Sequence, residues 1–203
     1  TLADAARIVS VEARHAAWIR DLAGKVPAPH AQDIPLSARQ ATAALRRLED
    51  LQAVFYTEVE RNRVLHGEID EQARVVGSHE RAHVVALREV LGRHAVKTAH
   101  YDFGGATEDA AAFRRTAVAF EDLSVAAYKA QAPRIVEREY LASALAIHTV
   151  EARHAAWIRR LAGQPPVSGP FDEPVSRATA TRIVDRTHFV MTMTSSKGPR
   201  FTG

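Results

Sequence analysis

The sequence predicts an all-α protein: a four-helix bundle made of two similar hairpins, with an additional N-terminal helix and an irregular C-terminal tail. Three observations support this fold class. Apolar residues recur every three to four positions over long stretches, as in amphipathic helices. Two Glu-x-x-His motifs occur 71 residues apart, and a ten-residue segment near the N-terminus is repeated near residue 150.

The composition agrees with one helical domain plus additional segments. The 203 residues are 46% hydrophobic, so the chain can bury a substantial core. The net charge of +3 is small and Arg is interspersed with Glu, which argues against nucleic-acid binding. We predict no transmembrane segment, because no apolar run approaches the required length. Cysteine is absent, which excludes disulfides and thiolate ligands.

The bundle helices follow from apolar periodicity and from residues that begin or end helices. Ser37 is a plausible N-terminal cap for the first helix, and Gly67 forms the turn after it. A long connection through Tyr101 crosses to the third helix, which stops before Pro133. The fourth helix ends at Gly163. These signals predict helices over residues 38–65, 70–93, 107–131 and 138–161.

The first and third predicted helices carry the same Glu and Tyr pair. Glu49 precedes Tyr56 by seven residues, and Glu121 precedes Tyr128 by seven. Seven residues are two helical turns, so each tyrosine lies on the same face as its carboxylate. Glu49 and Glu121 are 72 residues apart, nearly the offset of the Glu-x-x-His motifs.

The second and fourth helices carry Glu80 with His83 and Glu151 with His154. Residues three apart share a helix face, so each pair is directed at one point. Four carboxylates and two imidazoles then converge, which is the ligand arrangement of dimetal sites in four-helix bundles. Carboxylate oxygen and imidazole ligands favour iron or manganese. We therefore predict two such ions held by Glu49, Glu80, His83, Glu121, Glu151 and His154.

The alternative is a duplicated hairpin whose Glu and His residues face solvent. Apolar neighbours argue against it, because Val84 and Val85 follow His83, and Ala155 follows His154. Buried carboxylates need a partner or a metal, so an apolar environment favours the metal site.

Tyr56 and Tyr128 are candidate catalytic residues. They are interpreted either as redox-active neighbours of the metals or as hydrogen-bond donors to the ligand carboxylates. Buried tyrosines commonly do no more than satisfy their hydroxyl groups.

Four further polar residues near the predicted ligands are not expected to bind metal. Glu58 is on nearly the opposite helix face from Glu49 and is not a predicted ligand. His148 is expected to have a structural or solvent-facing role. Asp50 and Asp122 lie one position after the predicted ligands, and we expect caps, salt-bridge partners or solvent-facing residues.

The N-terminal segment repeats part of the bundle. Residues 2–37 align without a gap on residues 141–176, and residues 11–20 are identical to residues 150–159. The likeness includes a loop, which favours tandem duplication of a whole domain. We predict three parts: the last helix and tail of a preceding copy at 1–36, the bundle at 37–176 and an extension at 177–203.

The repeated segment contains a third Glu-x-x-His motif, Glu12 and His15. A metal site needs its full ligand set, and the other helices of that site are not in this sequence. We therefore expect a helix that docks through Trp18 and Ile19.

Three segments resemble the desiccation-related ferritin-like family. They are Ala-Phe-Glu-Asp-Leu-Ser-Val-Ala-Ala-Tyr at 119–128, the stretch 144–159 with its Val-Glu-Ala-Arg-His-Ala-Ala core, and Phe-Asp-Glu-Pro at 171–174. The resemblance covers about residues 37–176. It implies a ferritin-like four-helix fold and the same six metal ligands. Members often carry export signals, so the resemblance favours the periplasm or cell envelope over the cytoplasm.

The chain departs from the family pattern at Gln52, where members often have a second Glu. If that position supplied the ligand, the site would be weakened. The internal match of Glu49 with Glu121 indicates that Glu49 is the ligand and that Gln52 pairs with Ser124 beside it.

These observations predict a metal-dependent oxidoreductase. Two iron or manganese ions would react with dioxygen or peroxide, as a ferroxidase, peroxidase or catalase, in oxidative or desiccation stress. The alternative is a non-catalytic structural or interaction protein of the cell envelope. The expected partners are the metal ions, with protein partners or a homo-oligomer left open.

Overall fold

The computed structural model describes residues 2–28, 43–91, 99–132, 138–167, 169–173 and 177–191, and the predicted all-α class is confirmed. The helices of this described part are α1 Leu2–Leu22, α2 Ala43–Asn62, α3 Glu68–Leu91, α4 Ala110–Gln131, α5 Arg138–Leu161 and α6 Arg177–Arg186. A 3-10 turn at Gly104–Thr107 precedes α4. Two short strands, β1 His100–Tyr101 and β2 Val190–Met191, pair antiparallel.

Helices α2 to α5 form the bundle as two hairpins, α2 with α3 and α4 with α5. Phe55 is at the centre of the apolar core that joins them. Its ring centroid lies 5.3 Å from that of Phe103, 5.6 Å from that of Phe113 and 5.2 Å from that of Phe120. Burial of each such ring stabilises the fold by roughly 1.5–3 kcal/mol, so this aromatic layer holds the two hairpins together.

The predicted helices match the structure closely, and the differences have local causes. The predicted bounds 138–161 are those observed for α5. Helix α4 begins at Ala110 instead of near residue 107, because the Asp109 side chain accepts a hydrogen bond from the backbone N–H of Ala112 at 2.7 Å and caps the helix. Ser37 lies outside the described residues.

Helix α1 packs on the outside of the bundle against α5 and α4. Ala13 forms a small apolar cluster with Val125, Ala152 and Ala155. Small side chains let helix backbones approach closely, so this contact is tight. Arg14, 4% exposed, adds ion pairs across the interface.

The expectation that Trp18 and Ile19 dock α1 is wrong for Ile19, which is 66% exposed. Trp18 is 45% exposed and lines a small cleft with Trp157 of α5. Their identical counterparts on α5, Trp157 and Ile158, are buried at 3% and 0%. The difference arises because α1 packs on the outside of the bundle, whereas α5 is part of the bundle and is buried on more sides.

The described part of the C-terminal extension packs against the connection between the two hairpins. In the β1–β2 pair, Tyr101 lies opposite Val190, and the Asp102 N–H donates to the Phe189 carbonyl at 2.8 Å. The ring centroid of Phe189 is 5.3 Å from that of Phe103. The extension therefore covers this connection. The rest of the predicted extension, residues 192–203, lies outside the described residues.

None of the described helices is both long enough and apolar enough to cross a bilayer.

We predict that Asp172→Asn loosens α1. The Asp172 carboxylate accepts a hydrogen bond from the Ser10 hydroxyl at 2.6 Å and lies 3.4 Å from Nε of Arg14. Burial raises the Asp172 pKa, but Arg14 and Ser10 lower it more, so the net pKa is below its ordinary value of 3.8. The substitution should reduce the unfolding free energy at pH 7 by about 1–3 kcal/mol, measured by urea denaturation.

The sign of the pH dependence follows from the lowered pKa. A depressed folded-state pKa stabilises the protein above the unfolded value and loses that contribution as pH falls through the folded value. The difference between wild type and Asp172→Asn should therefore shrink below about pH 4. Glu173→Gln, an equivalent change at an exposed neighbour, is the control and should change stability by less than about 0.5 kcal/mol. Equal stability of Asp172→Asn and wild type at pH 7 would contradict the proposed anchor.

Candidate metal centre

The structure brings all six predicted ligands together between the four bundle helices. Helix α2 contributes Glu49 and α4 contributes Glu121, while α3 and α5 each contribute a Glu and a His one turn apart. Apolar stripes direct these faces inward. Each of the six side chains is 0% exposed, namely Glu49, Glu80, His83, Glu121, Glu151 and His154.

Four of these residues form what we call group one: Glu49, Glu80, His83 and Glu151. Nδ1 of His83 lies 3.1 Å from a Glu49 oxygen, 3.7 Å from a Glu80 oxygen and 3.0 Å from a Glu151 oxygen. One ligand atom from each residue lies within 4.8 Å of the others. An ion of ordinary coordination distance fits such a cluster.

Group two consists of Glu80, Glu121, Glu151 and His154. Nδ1 of His154 lies 3.1 Å from a Glu80 oxygen, 3.4 Å from a Glu121 oxygen and 3.9 Å from a Glu151 oxygen. Glu80 and Glu151 belong to both groups. Each of these carboxylates has two oxygens, so it can offer one oxygen to each group. The two groups therefore form a single centre with two shared carboxylates.

The hydrogen bonding of these carboxylates fits metal ligation. Several buried atoms of the centre have no hydrogen bond of normal geometry within the described part of the chain, although the two histidines lie within ion-pair distance of the carboxylates. They are both oxygens of Glu80 and of Glu151, Oε1 of Glu49, Oε2 of Glu121 and Nδ1 of His154. Buried polar atoms are almost always paired, and a buried carboxylate without a partner is costly. Divalent cations would satisfy these atoms and neutralise the four carboxylates.

The electrostatics of the centre show the same need for positive charge. Burial raises the Glu80 pKa well above its ordinary value, and the charge of Glu49 raises it further. Burial raises the Glu151 pKa in the same way, with added repulsion from Glu80. Burial lowers the His83 pKa, but contacts with Glu151 and Glu49 outweigh this and raise it well above 6.5. Without cations, the centre therefore retains protons.

The pKa of Glu49 is shifted in the opposite direction from those of Glu80 and Glu151. Burial raises its pKa, but the hydrogen bond and charge of His83 lower it more. Glu49 and His83 thus form an ion pair at 3.1 Å.

The two predicted tyrosines lie beside the carboxylates of the opposite hairpin. The Tyr56 hydroxyl donates to Glu121 at 2.6 Å, and burial and the Glu121 charge raise the Tyr56 pKa. Burial and the charges of Glu49 and Glu151 raise the Tyr128 pKa, but the Tyr128 hydroxyl has no hydrogen-bond partner of normal geometry among the described residues. The hydrogen-bonding role is thus observed for Tyr56, and the redox role of both stays a prediction.

Gln52 lies beside the ligands, as the sequence predicted. The Ser124 hydroxyl donates to its side-chain carbonyl at 2.5 Å, and its amide donates to Glu121 at 3.3 Å. Gln52 therefore supports Glu121, and the predicted pairing with Ser124 is confirmed.

The remaining polar predictions are mostly supported. Asp50 is ion-paired with Arg46 at 2.7 Å, and Asp122 with Arg159 at 2.6 Å. Glu58 accepts a hydrogen bond from the Thr107 hydroxyl at 2.7 Å and is in neither group. A solvent-facing role for His148 is wrong, because it is 1% exposed. Its neighbourhood includes Asp172, whose pKa it lowers.

One predicted neighbour of the ligands is exposed, and one buried neighbour was not predicted. Val85, expected beside His83, is instead 53% exposed. His79 is 8% exposed, and its Nδ1 lies 2.9 Å from Nε2 of His154. The sequence signal for His79 was its position four residues before His83, on the same helix face.

The fold and the buried groups define a class of helical-bundle proteins with a candidate dimetal centre. A family model for the ferritin-like domain matches residues 41–164. The match covers more than half of the chain, so the protein belongs to the ferritin-like domain family. No curated protein matches the chain significantly. The narrower relationship to desiccation-related proteins stays a prediction.

We predict that Tyr56→Phe and Tyr128→Phe differ in stability. Tyr56 donates to a buried carboxylate, and hydrogen bonds to charged groups contribute about 1.5–3 kcal/mol. Tyr56→Phe should lower the unfolding free energy of the metal-free protein by that amount in urea denaturation. Tyr128→Phe removes a hydroxyl that lies near Glu49 but has no hydrogen bond of normal geometry among the described residues, so its effect should be smaller. Equal losses in the two variants would contradict this difference.

Proposed function

We propose that this protein is a dimetal-carboxylate protein that holds two iron or manganese ions and reacts with dioxygen or peroxide. The observation that carries the proposal is the pair of fully buried groups that share Glu80 and Glu151. Six candidate ligands on four helices form one centre, and ligation accounts for carboxylate oxygens that otherwise make no hydrogen bond of normal geometry among the described residues.

The chain supports the centre in three ways. Its four carboxylates balance the charge of two divalent cations, and its oxygen-rich ligand set favours iron or manganese. The apolar core excludes bulk water, which strengthens the electrostatic interactions inside. The Tyr56 hydroxyl oxygen lies 2.6 Å from a Glu121 oxygen, to which it donates a hydrogen bond. It therefore orients Glu121 and holds a proton beside it. The bound metals would supply the electrons for reduction of dioxygen or peroxide.

We also propose a role in oxidative or desiccation stress, at the cell envelope or in the periplasm. These finer assignments rest on the family resemblance of the segments at 119–128, 144–159 and 171–174. The competing proposal is a non-catalytic envelope protein in which metals stabilise the bundle.

Residues 1–36 are proposed to be the last helix and tail of a preceding ferritin-like copy. The identity of residues 11–20 with 150–159 supports this, as does the exposure on α1 of Trp18, whose α5 counterpart is buried. The side chain of Glu12 lies outside the described part of the chain. Upstream coding sequence without a further Glu and Glu-x-x-His pattern would contradict the tandem copy.

We predict that manganese or ferrous iron stabilises the protein. Ligand that binds only the folded state adds about 2.7 kcal/mol at a hundredfold excess over Kd. For a chain of this size, the melting temperature should rise by about 5–10 °C. Elemental analysis should find two metal ions per chain. Wild-type protein that stays metal-free after reconstitution with both metals would defeat the proposed centre.

The same samples test which ligands matter and whether the centre is catalytic. Glu121→Ala and Glu151→Ala should lower the metal content and abolish turnover of peroxide or ferrous iron. Glu58→Ala, a matched change outside both groups, should do neither. Circular dichroism of the metal-free variants checks that the bundle remains folded. Metal uptake without turnover in the wild type would favour the non-catalytic alternative.

A further inference from the structure

His79 lies against one of the two ligand histidines. It is on α3, one turn before His83, and is 8% exposed. Its Nδ1 is 2.9 Å from Nε2 of His154. The two rings are stacked, with 5.2 Å between their centroids and 19° between their planes. The contact joins α3 to α5 immediately beside the centre.

The chemistry of this contact restricts the protonation of His154. One of the two nitrogens must donate and the other must accept. Nδ1 of His154 faces the carboxylates of group two, so a bound metal requires its lone pair. The proton of the neutral ring is then on Nε2, which donates to Nδ1 of His79. The pair thereby fixes both the tautomer and the ring orientation of His154.

His79 has no counterpart histidine in the repeat, because the corresponding position 71 residues later is Val150. Within group two, Glu121 also accepts hydrogen bonds from Tyr56 and Gln52. The contact with His79 therefore adds a hydrogen bond to the one imidazole of a group whose carboxylate Glu121 is already held in place.

We propose that His79 is a positioning residue for the metal position formed by group two. The inference rests on the proposed function, because it concerns how the centre takes up its metals. A ligand whose tautomer and orientation are already fixed loses less freedom on binding. The contact with His79 therefore raises the metal affinity of group two. Removal of such a hydrogen-bond partner costs about 10–100-fold in metal affinity.

The test is an anaerobic calorimetric titration of the metal-free protein with manganese(II). The wild type should show two binding events. His79→Phe retains a ring but no acceptor, so one of the two events should weaken about 10–100-fold and the other should remain unchanged. His79→Asn retains an acceptor oxygen at nearly the reach of Nδ1 and should restore most of the affinity. His66→Phe, the same change at an exposed histidine, is the matched control and should leave both events unchanged.

Nitrogen NMR of the zinc-loaded protein gives a second readout that simple packing would not change. In the wild type, Nε2 of His154 should carry the proton and Nδ1 should carry none. In His79→Phe, this proton should exchange with water much faster. If circular dichroism shows that His79→Phe does not fold, His79→Asn and the wild-type spectrum decide the proposal.

The outcomes separate this inference from the proposed function. Wild type that binds no metal overturns the function and the inference together. Two metal ions in the wild type, with unchanged binding in His79→Phe, overturn the role of His79 alone. Equal weakening of both events, or a His154 tautomer with the proton on Nδ1, also overturns it.

Discussion

The burial of four carboxylates at one point is the constraint on which the rest of the structure depends. An isolated buried carboxylate is strongly disfavoured, and here Glu80 and Glu151 lie beside two others with no exposed surface. The surrounding bundle must supply enough apolar burial to offset this repulsion until cations do so. The aromatic layer around Phe55, fully buried itself, is well placed to provide it.

The internal repeat explains how one hairpin design builds the complete centre. Each hairpin contributes two carboxylates and one imidazole. The ion pair between Asp122 and Arg159 in the second hairpin has its equivalent between Asp50 and Arg88 in the first, at 3.6 Å. Gln52 and Ser124 occupy equivalent positions and hydrogen-bond each other. Such a contact between counterparts is expected where two related hairpins meet at an approximate twofold axis.

The helices and the convergence of the six candidate ligands could be predicted from the sequence for two reasons. Both depend on the spacing of nearby residues, and the internal repeat shows the same spacing in each hairpin. The sequence could not predict contacts that depend on the orientation of each helix about its own axis. Tyr56 reaches the carboxylate of the other hairpin, and His79 contacts a residue 75 positions away without a counterpart in the repeat. The exposure of Ile19 was not predicted, because α1 packs on the outside of the bundle while the identical segment of α5 is part of the bundle. Pairing between β1 and β2 likewise depends on residues far apart in the chain.

The chain contains two tryptophans, and the structure gives them opposite surroundings. Trp18 is 45% exposed on α1, whereas Trp157 is 3% exposed and its indole N–H donates to Glu68 at 3.3 Å. Trp157 also follows the candidate ligand His154 by one helical turn. Both side chains nevertheless line the same small cleft between α1 and α5. The tryptophan fluorescence of this protein should therefore report how α1 packs against the bundle.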